Sequence, residues 1–457
     1  MNRVARRARF ALILAVILVG GLAFFLGEYL LNAGSWVVFS GSPHVYRGGN
    51  LNSGVVTDRD GEVLLDMTDG RNYSGDWELR EATLHILGDR EGNISAPALG
   101  YYSKQMVGFD LVNGIYSVNG QGGKAVLTVS AKVQKAALEA MEGRKGAIGV
   151  YNYKTGEILC MLSTPTYDPD DVPDLENDED GEYEGVYLNR FTQSTYVPGS
   201  IFKLVTASAA LEEFSDMEDR TYYCDGSYDI GSDTVTCSGV HGTVDLGEAL
   251  TDSCNVAFAQ IALELGAERL QMYARRFGIT EPLEFDGITT AAGNFDVLNA
   301  ADVNVAWGGI GQYTNLINPA RYMTFMGQIA NGGKAASPYL VSKVYSSAVT
   351  KYSARTTMVD SGLSTATANR MAELMRDNVV NGYGDWSFPD IGVCAKTGTA
   401  QIGEGIRPTA TFAGFTTDSD YPLAFVVFVE QGGGGSATCV SITAQVLEAC
   451  VEAMDGD

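Results

Sequence analysis

The chain of 457 residues carries 31 Lys and Arg against 56 Asp and Glu, which gives a formal net charge of -25. This charge disfavours non-specific binding to nucleic acid or to an anionic membrane surface, while 45% apolar residues suffice for two or three globular domains. The three histidines, His44, His85 and His241, show no ligand-like spacing to each other or to the cysteines, so we expect no metal and no other cofactor.

The N-terminal region has the composition of a membrane anchor. Residues 1–27 contain four arginines and no acid, and residues 10–27 are eighteen consecutive uncharged residues, close to the ~20 that an apolar helix needs to cross a bilayer. Because arginines stay on the cytoplasmic side, we predict a cytoplasmic segment at 1–9, a single transmembrane anchor at 10–31 and an extracytoplasmic remainder. A cleaved signal peptide is the alternative, but its apolar region is shorter and ends at a small-x-small site.

Two regions are predicted beyond the anchor. Residues 32–124 are rich in Gly, Asn and Asp, and Ser53–Asp66 has the pattern of two strands around an Asp-Gly turn. We interpret them as a β-rich, membrane-proximal pedestal. Residues 125–457 alternate strand-like runs with Ala-rich helices; Gly146–Ser163, for example, has the pattern of two strands joined by a Lys-Thr-Gly-Glu turn. This predicts an α+β or α/β domain.

Two unusual segments favour ordinary structural interpretations. Asp168–Glu184 contains ten acids and no base, which is typical of a solvated loop; a cation site is less favoured because the D-x-D-x-D-G pattern is absent. The Gly432–Ser436 run lacks the lysine of a phosphate-binding loop, so we interpret it as a flexible loop before a final helix.

The seven cysteines are an odd number, so at least one is unpaired within a single chain. Cys224 and Cys237 bracket a Gly- and Asp-rich hairpin. An extracytoplasmic location permits a disulfide there, and two unpaired thiols are an equal alternative. Cys160 and Cys394 stand in apolar strand-like runs and are expected to be buried.

A serine and a lysine at helical spacing are the first chemical signal. Ser200 follows a Pro-Gly break, and Lys203 lies three residues later at the start of an Ala-rich helical stretch, so the two side chains share a helix face. A serine hydroxyl needs a neighbouring base to become a nucleophile. Lysine can be that base if burial or nearby positive charge lowers its pKa.

Two further motifs follow in chain order. Ser253-Cys254-Asn255 lies downstream of Ser200, and Lys396-Thr397-Gly398-Thr399 lies in a β-like run. The order S-x-x-K, S-x-N, K-T-G is the signature of penicillin-recognising serine enzymes. Ser117-Val118-Asn119 and Lys154-Thr155-Gly156 repeat two of these patterns, but they precede Ser200 and are interpreted as turns.

With these motifs the chain resembles class B penicillin-binding proteins over nearly its whole length. Residues 54–64 after Arg47-Gly48 are similar to the family's pedestal, and residues 146–169 are similar to the opening of its transpeptidase domain. Residues 240–255, 309–312 and 330–333 are also family-like. The resemblance implies a central antiparallel sheet flanked by helices, with an all-helical lobe carrying Ser253, in a transpeptidase domain at 125–457.

The resemblance also implies a peptidoglycan D,D-transpeptidase. Ser200 would attack the carbonyl between the two terminal D-alanines of a stem peptide and form an acyl-enzyme, which β-lactams would trap. Lys203 would accept the Ser200 proton. Ser253 would relay a proton to the leaving amine, and Asn255 would hold the substrate amide and orient Lys203.

The third motif is expected to bind substrate. Lys396 and Thr397 would bind the terminal carboxylate, and the N–H groups of Ser200 and Thr399 would form the oxyanion hole. Gly398 would let the strand edge approach the substrate backbone.

Partners and alternatives follow from the same resemblance. A SEDS-family membrane glycan polymerase is the expected partner, since roughly 90 residues between anchor and domain are too few for a polymerase domain. A serine β-lactamase is disfavoured because Phe295 stands where its water-activating acid would be. A penicillin-sensing receptor is disfavoured by the short cytoplasmic segment. A D,D-carboxypeptidase and a non-catalytic scaffold of a wall-synthesis complex stay open.

Overall fold

A single long helix, α1 (Asn2–Val37), opens the chain. It extends well beyond the predicted anchor at 10–31, and its 36 residues span about 54 Å at ~1.5 Å per residue, against a bilayer hydrocarbon core of about 30 Å. Within Arg3–Val37, the most apolar 18-residue window has a mean hydropathy of 2.7 and makes no buried contact with the rest of the protein. The helix is therefore suited to a single membrane span with both ends projecting.

The computed structural model describes residues 2–39, 41–43, 45–107, 122–346 and 349–456. His44 and Ser117-Val118-Asn119 lie outside these residues. After α1, the first elements are β1 (Tyr46–Arg47), β2 (Asn50–Leu51), β3 (Val55–Thr57), β4 (Val63–Asp66), β5 (Asn72–Tyr73), α2 (Trp77–Leu87), α3 (Pro97–Tyr101), α4 (Ser103–Met106) and β6 (Lys124–Leu127). The β3–β4 pair confirms the hairpin expected in Ser53–Asp66.

The elements of the middle of the chain are α5 (Ala131–Met141), β7 (Gly146–Asn152), β8 (Ile158–Thr164), α6 (Arg190–Gln193), α7 (Lys203–Glu213), β9 (Tyr222–Cys224), β10 (Ser227–Ile230), β11 (Asp233–Thr236), β12 (Gly242–Val244), α8 (Leu246–Thr251), α9 (Asn255–Arg276), β13 (Glu284–Phe285) and β14 (Ile288–Thr289). Lys154-Thr155-Gly156 forms the turn between β7 and β8, as expected, where Asn152 Oδ1 accepts from the Lys154 and Thr155 N–H groups.

The remaining elements are α10 (Asp302–Ile310), α11 (Pro319–Ala330), β15 (Lys334–Ala336), β16 (Val341–Ser346), β17 (Val349–Ser353), β18 (Met358–Asp360), α12 (Thr365–Asn378), β19 (Val393–Ala400), β20 (Thr409–Thr416), β21 (Leu423–Val429) and α13 (Gly435–Asp455). A π-helical turn, Val379–Tyr383, extends α12.

A five-stranded antiparallel sheet of order β19-β20-β21-β7-β8 forms the centre of the protein. All residues of β7, β8, β20 and β21 are buried, because helices cover both faces. The face that includes Ala147 and Tyr151 packs with α7, α9 and α11, and the face that includes Ile148 and Val150 packs with α5 and α13. The predicted helix-flanked antiparallel sheet is confirmed, and β19 lies at its edge.

The region predicted as the pedestal contributes to a second sheet, of order β17-β16-β6-β3-β4-β5. Strand β6 pairs in parallel with β3 and antiparallel with β16. The predicted boundary between residues 124 and 125 therefore falls inside β6, and β16 and β17 return from the middle of the predicted transpeptidase domain. The sequence offered no cue for this return because the pairing joins segments more than 200 residues apart.

The acidic segment Asp168–Glu184 is anchored at its beginning. Arg80 Nε and Nη2 donate to Asp168 Oδ1 and Oδ2 at 2.7 and 2.5 Å, and Arg90 donates to Asp170. Most of the later acids are exposed, as expected of a solvated loop. At the end of the segment, His85 Nε2 lies 2.7 Å from Val186 O, so the segment fixes α2 of the pedestal to the central domain.

Candidate active site

The predicted nucleophile lies in a tight turn against the edge strand. A 3-10 helix, Gly199–Phe202, precedes α7 and places Ser200 partly exposed at a cleft. Gly199 has φ +59°, and a Cβ there would lie 2.8 Å from Thr399 O. Its N–H donates to Gly311 O at 2.9 Å. The family-like residues 309–312 thus support the turn from one side and β19 from the other.

Lys203 joins the first two motifs. Its side chain is fully buried, and Nζ lies 3.1 Å from Ser200 Oγ, 3.1 Å from Ser253 Oγ, 2.6 Å from Ser253 O and 2.8 Å from Asn255 Oδ1. Ser200, Lys203, Ser253 and Asn255 are therefore brought together as the motif order predicted.

The four partners of Lys203 Nζ determine which of its hydrogen bonds use an N–H and which face its lone pair. The Ser253 carbonyl and the Asn255 Oδ1 can only accept, so they take two N–H bonds from Lys203. A neutral amine has two N–H bonds and one lone pair. The lone pair then faces the hydroxyls of Ser200 and Ser253, which is the arrangement a base needs to take a proton from serine.

The environment of Lys203 favours that neutral form. Burial is the main cause that lowers the pKa of Lys203 well below the ordinary lysine value, and repulsion from Lys396 lowers it further. Attraction to the sulfurs of Cys237 and Cys254 acts in the opposite direction. The required pKa shift therefore has a structural cause.

The second motif is held by an unusual backbone. Ser253 has φ +53°, a left-handed conformation that directs both its carbonyl and its hydroxyl to Lys203. Cys254 is the N-cap of α9, and its Sγ accepts from the Ala257 N–H at 3.4 Å. Asn255 Nδ2 donates to Thr236 O at 3.0 Å, which fixes its Oδ1 toward the lysine.

The third motif occupies the edge strand β19. Lys396 is 1% exposed and its Nζ donates to Thr397 O at 3.2 Å, so it lies behind the cleft wall that Thr397 and Thr399 form. At Gly398 a Cβ would lie 2.3 Å from Thr411 Oγ1 and 2.7 Å from Pro198 O. The close approach at this glycine is thus to β20 and to the nucleophile turn, and its expected approach to the substrate backbone stays a prediction.

Three residues beside β19 were not recognised from the sequence. Tyr383 Oη lies 3.0 Å from Thr397 Oγ1 and accepts the Thr397 N–H at 2.9 Å. Ser436 Oγ donates to Thr397 Oγ1 at 3.3 Å, and the Gly435 N–H donates to Thr399 Oγ1 at 3.2 Å. The glycine run 432–436 was the available signal, because it precedes the 21-residue helix α13, whose positive end faces this strand.

The alternating direction of the backbone N–H groups along β19 also identifies a hydrogen-bond donor, the Thr399 N–H. The Thr397 N–H bonds to Tyr383 and not to β20. Alternate residues of a strand turn their N–H groups to the same side, so the Thr399 N–H also points away from the sheet. Ser200 begins a helical turn, where N–H groups have no intrahelical partner. Ser200 and Thr399 both line a cleft of about 630 Å³.

A cluster of sulfurs and an imidazole lies behind the second motif. Ligand atoms of Cys224, Cys237, His241 and Cys254 all lie within 4.8 Å of one another. The spacing of the histidines in the sequence did not indicate this cluster, because the fold brings His241 and the three cysteines together from four separate elements. All seven cysteines are free thiols, so Cys224 and Cys237 form no disulfide, and Cys160 and Cys394 are buried as expected.

Comparison with known proteins identifies a family. Residues 146–450 match the model of the penicillin binding protein transpeptidase domain. Among curated relatives, the peptidoglycan D,D-transpeptidase PbpA of Mycolicibacterium smegmatis is 29% identical over 364 residues, which are 73% of this chain and 72% of that protein.

Solved structures give the same result. The D,D-transpeptidase domain of a peptidoglycan glycosyltransferase from Eggerthella lenta superimposes with a TM-score of 0.75 at 27% identity, covering 88% of this chain and 99% of that one. Penicillin-binding protein A from M. tuberculosis, solved as its penicillin G acyl-enzyme complex, has a TM-score of 0.74 at 25% identity, with the same coverage of 88% and 99%.

Proposed function

Because this chain belongs to the penicillin-binding protein transpeptidase family, we propose that it is a peptidoglycan D,D-transpeptidase whose nucleophile is Ser200. The observation that carries the proposal is the contact of Lys203 Nζ with Ser200, Ser253 and Asn255 inside one buried network. A non-catalytic scaffold would have no use for a buried lysine whose pKa is lowered.

Acylation uses the first two motifs. Ser200 Oγ attacks the carbonyl carbon between the terminal D-alanines while its proton passes to Lys203 Nζ. The negative charge on the carbonyl oxygen is stabilised by the N–H groups of Ser200 and Thr399. The C–N bond then breaks, Ser253 relays the proton from Lys203 to the departing D-alanine nitrogen, and an ester on Ser200 remains.

Transfer reverses these proton movements. An amine of a neighbouring stem peptide attacks the ester carbon and gives its proton to the neutral Lys203. The second tetrahedral intermediate then collapses, the C–O bond to Ser200 breaks, and Lys203 returns the proton to Ser200 Oγ. The new amide is the cross-link. Asn255 orients Lys203 through both steps because its Oδ1 accepts from Nζ.

The terminal carboxylate of the donor peptide binds at β19. Thr397 and Thr399 line the cleft, and the N-terminus of α13 adds positive potential. Lys396 contributes its charge from behind Thr397. A β-lactam carries a carboxylate and an acylating carbonyl in the same relation, so it is trapped as an ester on Ser200.

The surroundings of the catalytic domain suit wall synthesis at a membrane. We assign residues 10–31 to a single span with residues 1–9 in the cytoplasm, and residues 32–124, completed by β16 and β17, to the pedestal. A SEDS-family glycan polymerase is the proposed partner through α1 and the pedestal, on family resemblance alone.

The test is covalent labelling of the detergent-solubilised full-length chain by a fluorescent penicillin. Wild type should label with one equivalent, and Ser200→Ala should not label. Ser441→Ala, which changes an exposed serine on α13, is the matched control and should label like wild type. Equal labelling of Ser200→Ala would refute the assignment of the nucleophile.

A further inference from the structure

The four ligand atoms behind the S-x-N motif are spaced as the corners of a small polyhedron. His241 Nδ1 lies 3.5 Å from Cys224 Sγ and 3.5 Å from Cys237 Sγ, and Cys237 Sγ lies 3.9 Å from Cys254 Sγ. The residues come from the end of β9, the end of β11, the start of β12 and the N-cap of α9.

These distances can be compared with a tetrahedral zinc ion. Zinc binds thiolate sulfur at about 2.3 Å and imidazole nitrogen at about 2.0–2.1 Å. The corresponding tetrahedron has sulfur–sulfur edges of about 3.8 Å and sulfur–nitrogen edges of about 3.6 Å. Three of the six edges are given by the distances above and match within about 0.2 Å, and the other three are no longer than 4.8 Å.

We propose that Cys224, Cys237, His241 and Cys254 form a structural zinc site. Three thiolates and one imidazole are a complete ligand set for structural zinc, with no position left for substrate or water. Two backbone donors already point at the sulfurs, since the Asn255 N–H lies 3.2 Å from Cys237 Sγ and the Ala257 N–H lies 3.4 Å from Cys254 Sγ. Such outer-shell donors orient ligands and offset thiolate charge.

The site would act on the catalytic centre through the chain itself. Cys254 lies between Ser253 and Asn255, and the sulfur that accepts from the Asn255 N–H belongs to another ligand, Cys237. Zinc would thereby fix the S-x-N segment to the hairpin whose Thr236 carbonyl holds the Asn255 amide. This positioning role rests on the proposed function, whereas the presence of the metal does not.

A disulfide is the competing use of these cysteines. Sulfur atoms in a disulfide are about 2.05 Å apart, and the observed 3.9 Å between Cys237 and Cys254 is that of separate thiols. A disulfide would join only two of the three cysteines and would leave the third cysteine and His241 outside the bond. Zinc uses all four side chains, which is why we favour it.

The decisive experiment measures metal content. The full-length chain is purified in detergent without a histidine tag or chelator, and zinc is counted by mass spectrometry of the elements. We expect one zinc per chain in wild type and in Cys450→Ala, which removes a buried cysteine in α13 outside the cluster. Cys224→Ser and His241→Ala, the latter at a half-buried position, should each lose most of the zinc.

A second measurement does not depend on the variants folding. Wild type in which cobalt replaces zinc should show the visible absorption of a tetrahedral cobalt–thiolate centre. Absence of zinc from wild type together with failure to bind cobalt would overturn the proposal, as would a disulfide between any two of the three cysteines found by peptide mapping.

The positioning role has its own readout. Removing zinc by a strong chelator should slow penicillin acylation at least tenfold, and added zinc should restore it. One zinc per chain with an unchanged acylation rate after its removal would refute the positioning role and leave the metal site standing. Normal zinc with no acylation at all would instead count against the proposed function.

Discussion

The phenolic oxygen of Tyr383 lies 3.0 Å from the hydroxyl of Thr397 and accepts the N–H of the same residue at 2.9 Å. It also accepts from Asn378 Nδ2 at 3.2 Å. With both lone pairs used, its single proton must go to Thr397 Oγ1. Since Ser436 also donates to that oxygen, the Thr397 proton is left for an acceptor in the cleft, which is what binding a carboxylate requires.

Tyr383→Phe should therefore impair acylation without unfolding the protein. The change removes the acceptor of a buried N–H and frees the Thr397 hydroxyl to rotate. The expected cost is about 1–3 kcal/mol, which corresponds to a roughly fivefold to more than hundredfold decrease in acylation efficiency. The loss should appear mainly as weaker binding of the donor substrate. Tyr153→Phe, which removes a hydroxyl bonded to Thr416 O on the same sheet, is the control. Equal rates for wild type and Tyr383→Phe would contradict this role.

Acylation should depend on pH through Lys203. The neutral amine is the base, so the rate should rise with pH and level off well below the ordinary lysine pKa of about 10.4, because the pKa of Lys203 is lowered by burial and by Lys396. Lys396→Gln removes the second cause and should move the inflection to higher pH. An inflection that does not move would show that Lys396 does not act on Lys203.

Lys203→Arg should replace the neutral base with a group that stays positively charged. A guanidinium stays protonated at any pH the protein tolerates, so acylation should fall by about 10²–10⁴. Single-turnover labelling with penicillin measures the effect. A rate near that of wild type would mean that another group takes the Ser200 proton.

Gly398→Ala should disturb the nucleophile turn. The added methyl group would lie 2.3 Å from Thr411 Oγ1 and 2.7 Å from Pro198 O, and such overpacking costs about 1–3 kcal/mol. We expect a lower melting temperature and slower acylation. Gly100→Ala, where a Cβ would meet nothing within 4 Å, controls for the added methyl group. Retained acylation in Gly398→Ala would show that β19 can shift freely.

Stability should fall at mildly acidic pH because of His85. Burial lowers the pKa of His85 to about 4, below its unfolded value of about 6.5, so the unfolded chain binds the proton more tightly. This stabilising contribution is complete above about pH 6.5 and is lost as the pH falls toward 4, in total about 3 kcal/mol. Thermal melting between pH 7 and 5 checks this. His85→Gln should weaken the dependence of the melting temperature on pH. An equally steep dependence in the variant would refute this role of His85.

The arrangements predicted from residues close in sequence agree with the structure. Ser200 and Lys203 share one helical turn, and β7 and β8 flank one short turn, so residues close in sequence determined both arrangements. Tyr383 and Ser436 contact Thr397 from distant segments that carry no motif, and only the fold brings them together. The zinc ligands came from four separate elements. Cys237 and His241 are four positions apart, yet neither Cys224 nor Cys254 stands near them in sequence to suggest a set.

The parallel pairing of β3 with β6 has a consequence for biosynthesis. The other side of β6 pairs with β16, which follows it by more than 200 residues. During synthesis from the N-terminus, one side of β6 keeps unpaired backbone groups until residues 341–346 have been made. The second sheet therefore cannot finish folding before most of the catalytic domain has been synthesised, and both parts must fold as one unit.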